Sequence, residues 1–310
     1  MNKAGKLLCA AVFGCGLAMT AMPGHATELW DPHLRAVDSG LAAGALPPKG
    51  LYFVMNNYWG AFKDYTSNHD NGNRLNVLVE APILLWNPGI KLLGADYSAA
   101  IAQPFDYTDF GTPGSSNPGH WGTFNTLLMP VMMSWGLPYH FHVKGSFGVW
   151  LDDASSSPSA SAQPSHGTLG AGNAFTTFEP GLGVSWLNDG WNASAQMYYD
   201  TSTADNNHLY ADGSTGTYQS GDQIAVDYTL TKTIKKWTVG LNGFQLNQLQ
   251  RDQEKGVATA GTVAMSWGVG PTVGYQFGGI NLALNYTHDV VVHNDVGGDI
   301  FNLRAIVPLF

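Results

Sequence analysis

Cysteine is nearly absent from this sequence of 310 residues, and both copies lie close to its start. They are Cys9 and Cys15, within a segment that we interpret as a cleaved signal peptide. The mature chain would therefore carry neither a disulfide nor a free thiol, although an exported protein meets conditions in which disulfides persist. This excludes a fold held together by a disulfide framework.

Charged residues are also scarce, at 12% of the sequence, whereas soluble domains usually carry about 25%. Basic residues are fewer than acidic ones, with 14 Lys and Arg against 23 Asp and Glu. Removal of Lys3 and Lys6 with the signal peptide leaves 12 basic residues and a balance of −11. An acidic chain without a clustered basic face argues against a nucleic-acid partner.

Long apolar runs are missing after residue 26, so no segment there offers the roughly 18 or more apolar residues of a transmembrane helix. Residues 1–26 fit a secretory signal peptide, because a basic start precedes the apolar run Leu7–Met19 and the small-x-small site Gly24–Ala26. What the chain has instead is 38 Gly, 10 Trp, 13 Tyr and 14 Phe. Low charge without long apolar runs is typical of strands with one face in lipid.

Side chains alternate clearly between residues 139 and 151. One set is apolar and the other largely polar, a period of two that indicates a strand and not a helix. A membrane-spanning strand needs about 9–11 residues, which this stretch supplies. The apolar set is Tyr139, Phe141, Val143, Phe147, Val149 and Leu151, and the other set is His140, His142, Lys144, Ser146, Gly148 and Trp150.

The pattern recurs along the chain and predicts an all-β fold, an up-and-down antiparallel transmembrane β-barrel of about 12 strands spanning residues 51–310. Long polar connections alternate with short turns. The long connections are therefore expected at one end of the barrel, and the short turns and both termini at the other. This arrangement is typical of bacterial outer-membrane barrels and predicts the outer membrane of a Gram-negative cell. Residues 27–50 are expected to plug the lumen or to lie at its periplasmic mouth. The predicted strands are 51–62, 74–86, 92–103, 121–136, 139–151, 174–187, 191–200, 222–233, 237–249, 263–277, 280–289 and 300–310.

Closure of the barrel is required on energetic grounds. Backbone groups in lipid have no water to pair with, so an open edge costs several kcal/mol for each group. The last strand, which ends on Phe310, must therefore pair with the first. Its alternation is imperfect, because Arg304 and Pro308 share the parity of Phe310.

Several motifs resemble one family over nearly the whole mature chain, in the same order. They are the run GLAAGALPPKGLY at 40–52, KLLG at 91–94, FEP at 178–180, GD at 221–222 and GVGPTVGYQFG at 268–278. Together they resemble the phenol meta-pathway degradation proteins, or SphA-like transporters. The resemblance implies an outer-membrane protein that helps small hydrophobic compounds to enter cells that degrade aromatics. The family's usual Gly-Asp before the fourth strand is replaced here by Phe124-Asn125, which puts the solute preference in question.

Charged and polar residues on the predicted inward faces are the candidate lining of a solute path. Charged rings of this kind select solutes in pores, but an ion-pair network that merely fills a narrow lumen would use the same residues. Glu179 is the preferred single candidate, since it lies mid-strand among apolar neighbours. The candidates are Arg74, Glu80, Asp96, His140, His142, Lys144, Glu179 and Asp227.

The function that follows is passive uptake of small hydrophobic or aromatic compounds, by a monomer whose partners are outer-membrane lipid and the solute. No cofactor, no metal and no catalytic residue is assigned. His140 and His142 could share a face, but two ligands are too few for a zinc site. Two alternatives stay open at this point, a barrel enzyme that acts on lipid or ester substrates and a structural barrel with a closed lumen.

Overall fold

The computed structural model describes residues 31–117, 119, 121–155, 171–210, 214–259 and 263–310, so the predicted signal peptide lies outside the described residues. All pairing between its strands is antiparallel, and a single turn of 3₁₀ helix spans Pro138–His140. None of the described residues belongs to a helix long and apolar enough to cross a membrane. The strands are β1 (Gly50–Thr66), β2 (His69–Asn87), β3 (Lys91–Leu92), β4 (Ala95–Ala102), β5 (Phe105–Thr112), β6 (Ser115–Asn117), β7 (Trp121–Thr123), β8 (Leu127–Gly136), β9 (Phe141–Trp150), β10 (Thr177–Asn188), β11 (Trp191–Ser202), β12 (Asp205–Leu209), β13 (Thr215–Gln219), β14 (Gln223–Ile234), β15 (Trp237–Gln248), β16 (Gln253–Glu254), β17 (Val257–Ala258), β18 (Met265–Phe277), β19 (Ile280–His293) and β20 (Val296–Pro308).

These strands form a closed barrel with a wall of twelve. Two of the wall strands are interrupted. One consists of β4 and β5, and the other consists of β7 and β8. The ring closes between β20 and β1, from the pair Tyr52 and Pro308 to the pair Asp64 and Val296. The carbonyl of Phe310 adds a last bond by accepting from the amide of Leu51 at 2.9 Å. The predicted all-β fold, the strand number and the closure are confirmed.

The outer surface of the wall is apolar between two rows of aromatic side chains. Trp86, Trp191 and Trp237 are exposed near the short-turn end, and Trp59 and Trp121 are exposed towards the other end. Such a continuous apolar surface would be a liability in water but is what lipid requires, and aromatic rows mark the two interfaces of outer-membrane barrels. The chain is therefore an outer-membrane β-barrel, with its C-terminus and short turns on the periplasmic side.

At the opposite, outer end of the barrel, two of the connections are tight turns and not the long loops that the sequence predicts. The strands β1 and β2 continue to a tight turn at residues 67–68, and β19 and β20 continue to another at residues 294–295. Two long connections, after β11 and after β15, pair with each other in a small sheet of order β12-β13-β16-β17. This sheet is separate from the sheet of the wall.

The orientation predicted for β2 is wrong. Arg74 and Glu80 lie on the outer face of the barrel, and Leu75, Val77 and Val79 between them face the lumen. The register explains this, because Val79 pairs with the buried Tyr58 of β1. Both faces of β2 are apolar in the middle of the wall, so alternation alone could not tell the lipid face from an apolar lumen.

Candidate functional site

Residues 31–48, which we call the plug, run through the lumen from one end to the other. At the outer end, Arg35 Nη2 donates to Asp295 Oδ1 at 2.6 Å and its Nη1 donates to the carbonyl of Val296 at 2.5 Å. Burial raises the pKa of Asp295 in this turn to about 6, although the guanidinium of Arg35 opposes the rise. At the periplasmic end, Asn87 Nδ2 donates to the carbonyl of Pro47 at 2.7 Å.

The middle of the plug is held by side chains of β14. The backbone amides of Ala36 and Asp38 both donate to the carboxylate of Asp227, at 3.1 and 2.7 Å, and that of Gly40 donates to Thr229 Oγ1 at 2.8 Å. Buried backbone amides outside a sheet must find partners elsewhere. Asp227 and Thr229, two residues apart on one face of the strand, supply these partners.

Small residues let the lower plug lie directly against the wall. The amide of Gly44 donates to Ser185 Oγ and its carbonyl accepts from Ser134 Oγ, both at 2.7 Å. A Cβ on Gly44 would lie 2.2 Å from the carbonyl oxygen of His142. No side chain fits there, which gives a steric reason for a glycine in the 40–52 motif.

Arg304 is a plug contact that the sequence pattern flagged only as an irregularity. It is fully buried, and it donates to the carbonyl of Val37 at 2.9 Å and to that of Ser39. Tyr198 adds a bond from its hydroxyl to Asp38 Oδ2 at 2.6 Å. The imperfect alternation of the last strand thus has a cause, since Arg304 faces the lumen and binds the plug.

Glu179 lies at the centre of a buried polar cluster beneath the outer end of the lumen. Its Oε2 is 3.2 Å from His33 Nδ1 and accepts from Trp150 Nε1 at 3.0 Å. The other ring nitrogen of His33 is 3.9 Å from Asp227 Oδ2, and its ring packs on that of Tyr198 at 4.4 Å. Two of the predicted residues, Glu179 and Asp227, are therefore brought together by a histidine of the plug.

The other candidates are dispersed. Lys144 lines the cavity described below, and His142 lies on the lumen side of β9. His140 is exposed in the turn before β9, with a φ of 68°, so the two histidines do not share a strand face. Asp96 is half exposed at the periplasmic rim and pairs with Lys91 at 2.8 Å. Arg74 and Glu80 lie outside the barrel.

A cavity of about 240 Å³ remains between the plug and one side of the wall. The plug fills the polar side of the lumen, and the remaining side is formed by the inner faces of the first four wall strands. We call these inner faces the apolar wall. Its residues are Val54, Tyr58, Phe62, Leu75, Val77, Val79, Ala81, Ile83, Leu85, Ala100, Ala102, Phe124, Leu127, Met129 and Met132.

The two interrupted wall strands meet at this cavity. The amide of Phe124 donates to the carbonyl of Pro104 at 2.9 Å, and Thr126 Oγ1 donates to Gln103 Oε1 at 2.6 Å. One backbone bond and one side-chain bond thus bridge the gap between the interrupted strands. The Phe124-Asn125 pair noted in the sequence has two roles here, since Phe124 lines the cavity and Asn125 Nδ2 donates to the carbonyl of Asn173 at 2.9 Å.

A family model described as the MetA-pathway of phenol degradation matches residues 56–305. The chain belongs to this family. Its fold is that of the COG4313 outer membrane channel from Pseudomonas putida F1, at 13% identity and a TM-score of 0.75, over 87% of this chain and 98% of that one.

Two further solved structures are similar at lower scores. The translocator domain of the autotransporter NalP from Neisseria meningitidis has 10% identity and a TM-score of 0.49, over 86% of this chain and 91% of that one. The β domain of the Bordetella autotransporter BrkA has 9% identity and a TM-score of 0.48, over 84% and 100%. No curated protein sequence matches the chain.

For this member of the phenol-degradation family, we expect Asp227→Ala to loosen the plug. It removes the acceptor of two buried amides, a loss of about 3 kcal/mol. Ser39 is fully buried in the plug, and the only cysteines of the sequence are Cys9 and Cys15, so a Ser39→Cys reporter can be labelled selectively in a chain prepared without residues 1–26. Labelling by a membrane-impermeant maleimide should become about a hundred-fold faster. Asp227→Asn should have a smaller effect, and Asp96→Ala at the rim none. Equal labelling in all three would contradict the assignment.

We further expect the same substitution at two glutamates to have opposite effects on stability. Glu80→Leu removes a carboxylate from the lipid face and should raise the free energy of unfolding by about 1 kcal/mol. Glu179→Leu removes the acceptor of His33 and Trp150 and should lower it by about 3 kcal/mol. Urea unfolding in phospholipid vesicles measures both, with Glu179→Gln as the shape-matched control. A stabilising effect of Glu179→Leu would show that this cluster does not hold the plug.

Proposed function

We propose that this chain is a passive channel through which small hydrophobic or aromatic compounds enter cells that degrade them. The observation that carries the proposal is the cavity beside the plug. Apart from Asn56 and Asp106, the wall strands on one side of it contribute only apolar side chains, and the polar side of the lumen is occupied by the plug. Ligand sites for apolar molecules are largely apolar with a few placed polar groups, and this cavity has that composition.

The comparisons support the same proposal. The family description names phenol degradation, and the Pseudomonas putida F1 protein with this fold is described as an outer membrane channel. The buried His33, Glu179 and Asp227 are occupied by contacts that fix the plug, which favours a structural role for this cluster over a catalytic one. In our proposal the chain acts without a reaction or a cofactor, as a monomer surrounded by outer-membrane lipid.

The closed-lumen alternative has one observation in its favour, the length of the plug. Segment 31–48 contacts the wall at both ends and in the middle. A barrel of this kind could be sealed, with the apolar cavity as a packing defect. The two functions differ in whether a molecule that enters the cavity reaches the other side.

The test is uptake by vesicles whose outer leaflet is lipopolysaccharide, the layer that hydrophobic compounds cross slowly. Vesicles with and without the purified chain are mixed with naphthalene, and arrival inside is followed by the fluorescence of encapsulated serum albumin. We expect the chain to accelerate uptake of naphthalene but not of glucose. Equal rates with and without the chain would contradict the channel and favour the closed barrel.

A further inference from the structure

Two charged side chains line the cavity without holding the plug. Seven Asp, Glu, Lys or Arg residues contribute to its lining. Five of them belong to the plug or bind it or its contacts, namely Asp31, Arg35, Asp38, Glu179 and Arg304. The remaining two are Asp106 and Lys144. Neither makes a described contact that holds the plug, so the plug gives no reason for a charge at either position.

Asp106 is a carboxylate with one oxygen that no other described residue contacts by a hydrogen bond. It lies on the inner face of β5, opposite Val79 of β2 and Gly122 of β7, and only 1% of its surface is exposed. Its Oδ2 accepts from Thr108 Oγ1 at 3.3 Å, and its Oδ1 has no hydrogen-bond partner in the part of the chain that the structure describes. A buried acceptor in an apolar wall is costly unless a donor arrives.

Lys144 is a partly exposed cation on the lining of the same cavity. It lies on the inner face of β9, between Ser134 of β8 and Gly183 of β10, three residues from the periplasmic start of its strand. Among the described residues no carboxylate lies within 4.0 Å of its ammonium group. The carboxylate of Asp38, which acts on it from farther away, already accepts from Tyr198. The ammonium is therefore free to donate to a group that enters the cavity.

One chemical group satisfies both positions. A hydroxyl can donate to Asp106 and accept from Lys144, because it carries one hydrogen and two lone pairs. A carboxylate would pair with Lys144 but would meet Asp106 as a like charge, and an ammonium group would have the reverse difficulty. A ketone or ether could accept from Lys144 but has nothing to donate to Asp106.

We propose that Asp106 and Lys144 are two hydrogen-bonding positions along the cavity for the hydroxyl group of a small, otherwise apolar solute. Asp106 lies towards the outer end and Lys144 towards the periplasmic end, so a solute meets them in turn. The apolar wall contacts the hydrocarbon body of the solute. Its hydroxyl donates first to Asp106 and then, further along, accepts from Lys144. This selectivity rests on the proposed channel and names its preferred solute class.

The experiment compares binding of three probes of nearly equal shape to the purified full chain in detergent by equilibrium dialysis. They are p-cresol, p-xylene, in which a methyl replaces the hydroxyl, and p-toluate, which carries a carboxylate. Asp106→Leu and Lys144→Met remove one polar group each at similar volume. Glu80→Leu is the matched control, since Glu80 lies at a similar height on the lipid face of the neighbouring strand.

We expect the double variant Asp106→Leu/Lys144→Met to weaken p-cresol binding about ten-fold, the effect of one lost hydrogen bond. Each single variant should weaken it less, because the other position remains, and none should change p-xylene binding more than about two-fold. Each variant is compared with wild type for the same probe, so partition of the probe into micelles cancels. Asp106→Asn and Lys144→Gln, which keep the shape and the fold, should give intermediate losses for p-cresol alone. Glu80→Leu should change neither.

Equal effects on p-cresol and p-xylene, or no effect on either, would overturn the hydroxyl proposal. Tighter binding of p-toluate than of p-cresol to wild type would also overturn it, in favour of an anion held by Lys144. These outcomes are distinct from failure of the channel. If p-xylene crosses lipopolysaccharide vesicles only with the chain present, the channel stands whatever the variants show, and if it does not, the channel itself fails.

Discussion

Deletion of residues 31–46 is expected to turn a barrel that passes few ions into one that conducts at least about ten-fold more. The plug occupies the polar side of the lumen over its whole length, so its removal opens that side to water. The side chains left behind include Asp227, Thr229, Ser185 and Arg304. Polar linings of this kind face water in open barrels, and hydration would replace the bonds that the plug now makes.

The wall should survive this deletion, because its ladder closes between β20 and β1 without any residue of the plug. Conductance of single barrels in planar bilayers measures the effect, and the heat-dependent mobility on gels reports folding. A Gly/Ser linker that replaces 31–46 is the matched control, since it keeps the length without the contacts and should give a noisy, raised conductance. An unchanged conductance in both would show that the plug does not limit ion flow.

The sequence predicted the wall well because period-two alternation is local. The polar inner faces of β11, β14 and β18 were assigned correctly, since their outer faces are almost wholly apolar. Glu179 and Asp227 were found for the same reason, as charges that lipid excludes. Alternation is misleading where the lumen itself is apolar. On β2 it indicates the wrong face as inward and predicts Arg74 and Glu80 inside the barrel.

The remaining parts of the site depend on contacts between distant parts of the chain. The plug residue His33 lies 146 positions from Glu179, and no local pattern relates them. Arg304 was visible only as a break in the alternation of the last strand. Asp106 was placed in a polar connection, because Pro104 ends the β4 pattern and hides the continuation of the same wall strand in β5.

The second large effect is expected from a bulky side chain on the apolar wall. Ala102 is 4% exposed and lines the cavity between the plug and the interrupted strands. Ala102→Trp would place an indole in this space of about 240 Å³, where it meets a cavity and not a packed core. Uptake of naphthalene by lipopolysaccharide vesicles should fall at least about ten-fold, while the thermal unfolding temperature of the barrel changes little.

A matched control distinguishes this block from a general effect of an added tryptophan. Ala305 lies on the lipid face of β20, opposite Met55, so Ala305→Trp adds the same side chain outside the lumen and should leave uptake unchanged. In the barrel that lacks residues 31–46, Ala102→Trp should no longer limit uptake, because the opened polar side offers a second route. A wild-type rate in Ala102→Trp with the plug present would mean that solutes do not pass beside the apolar wall.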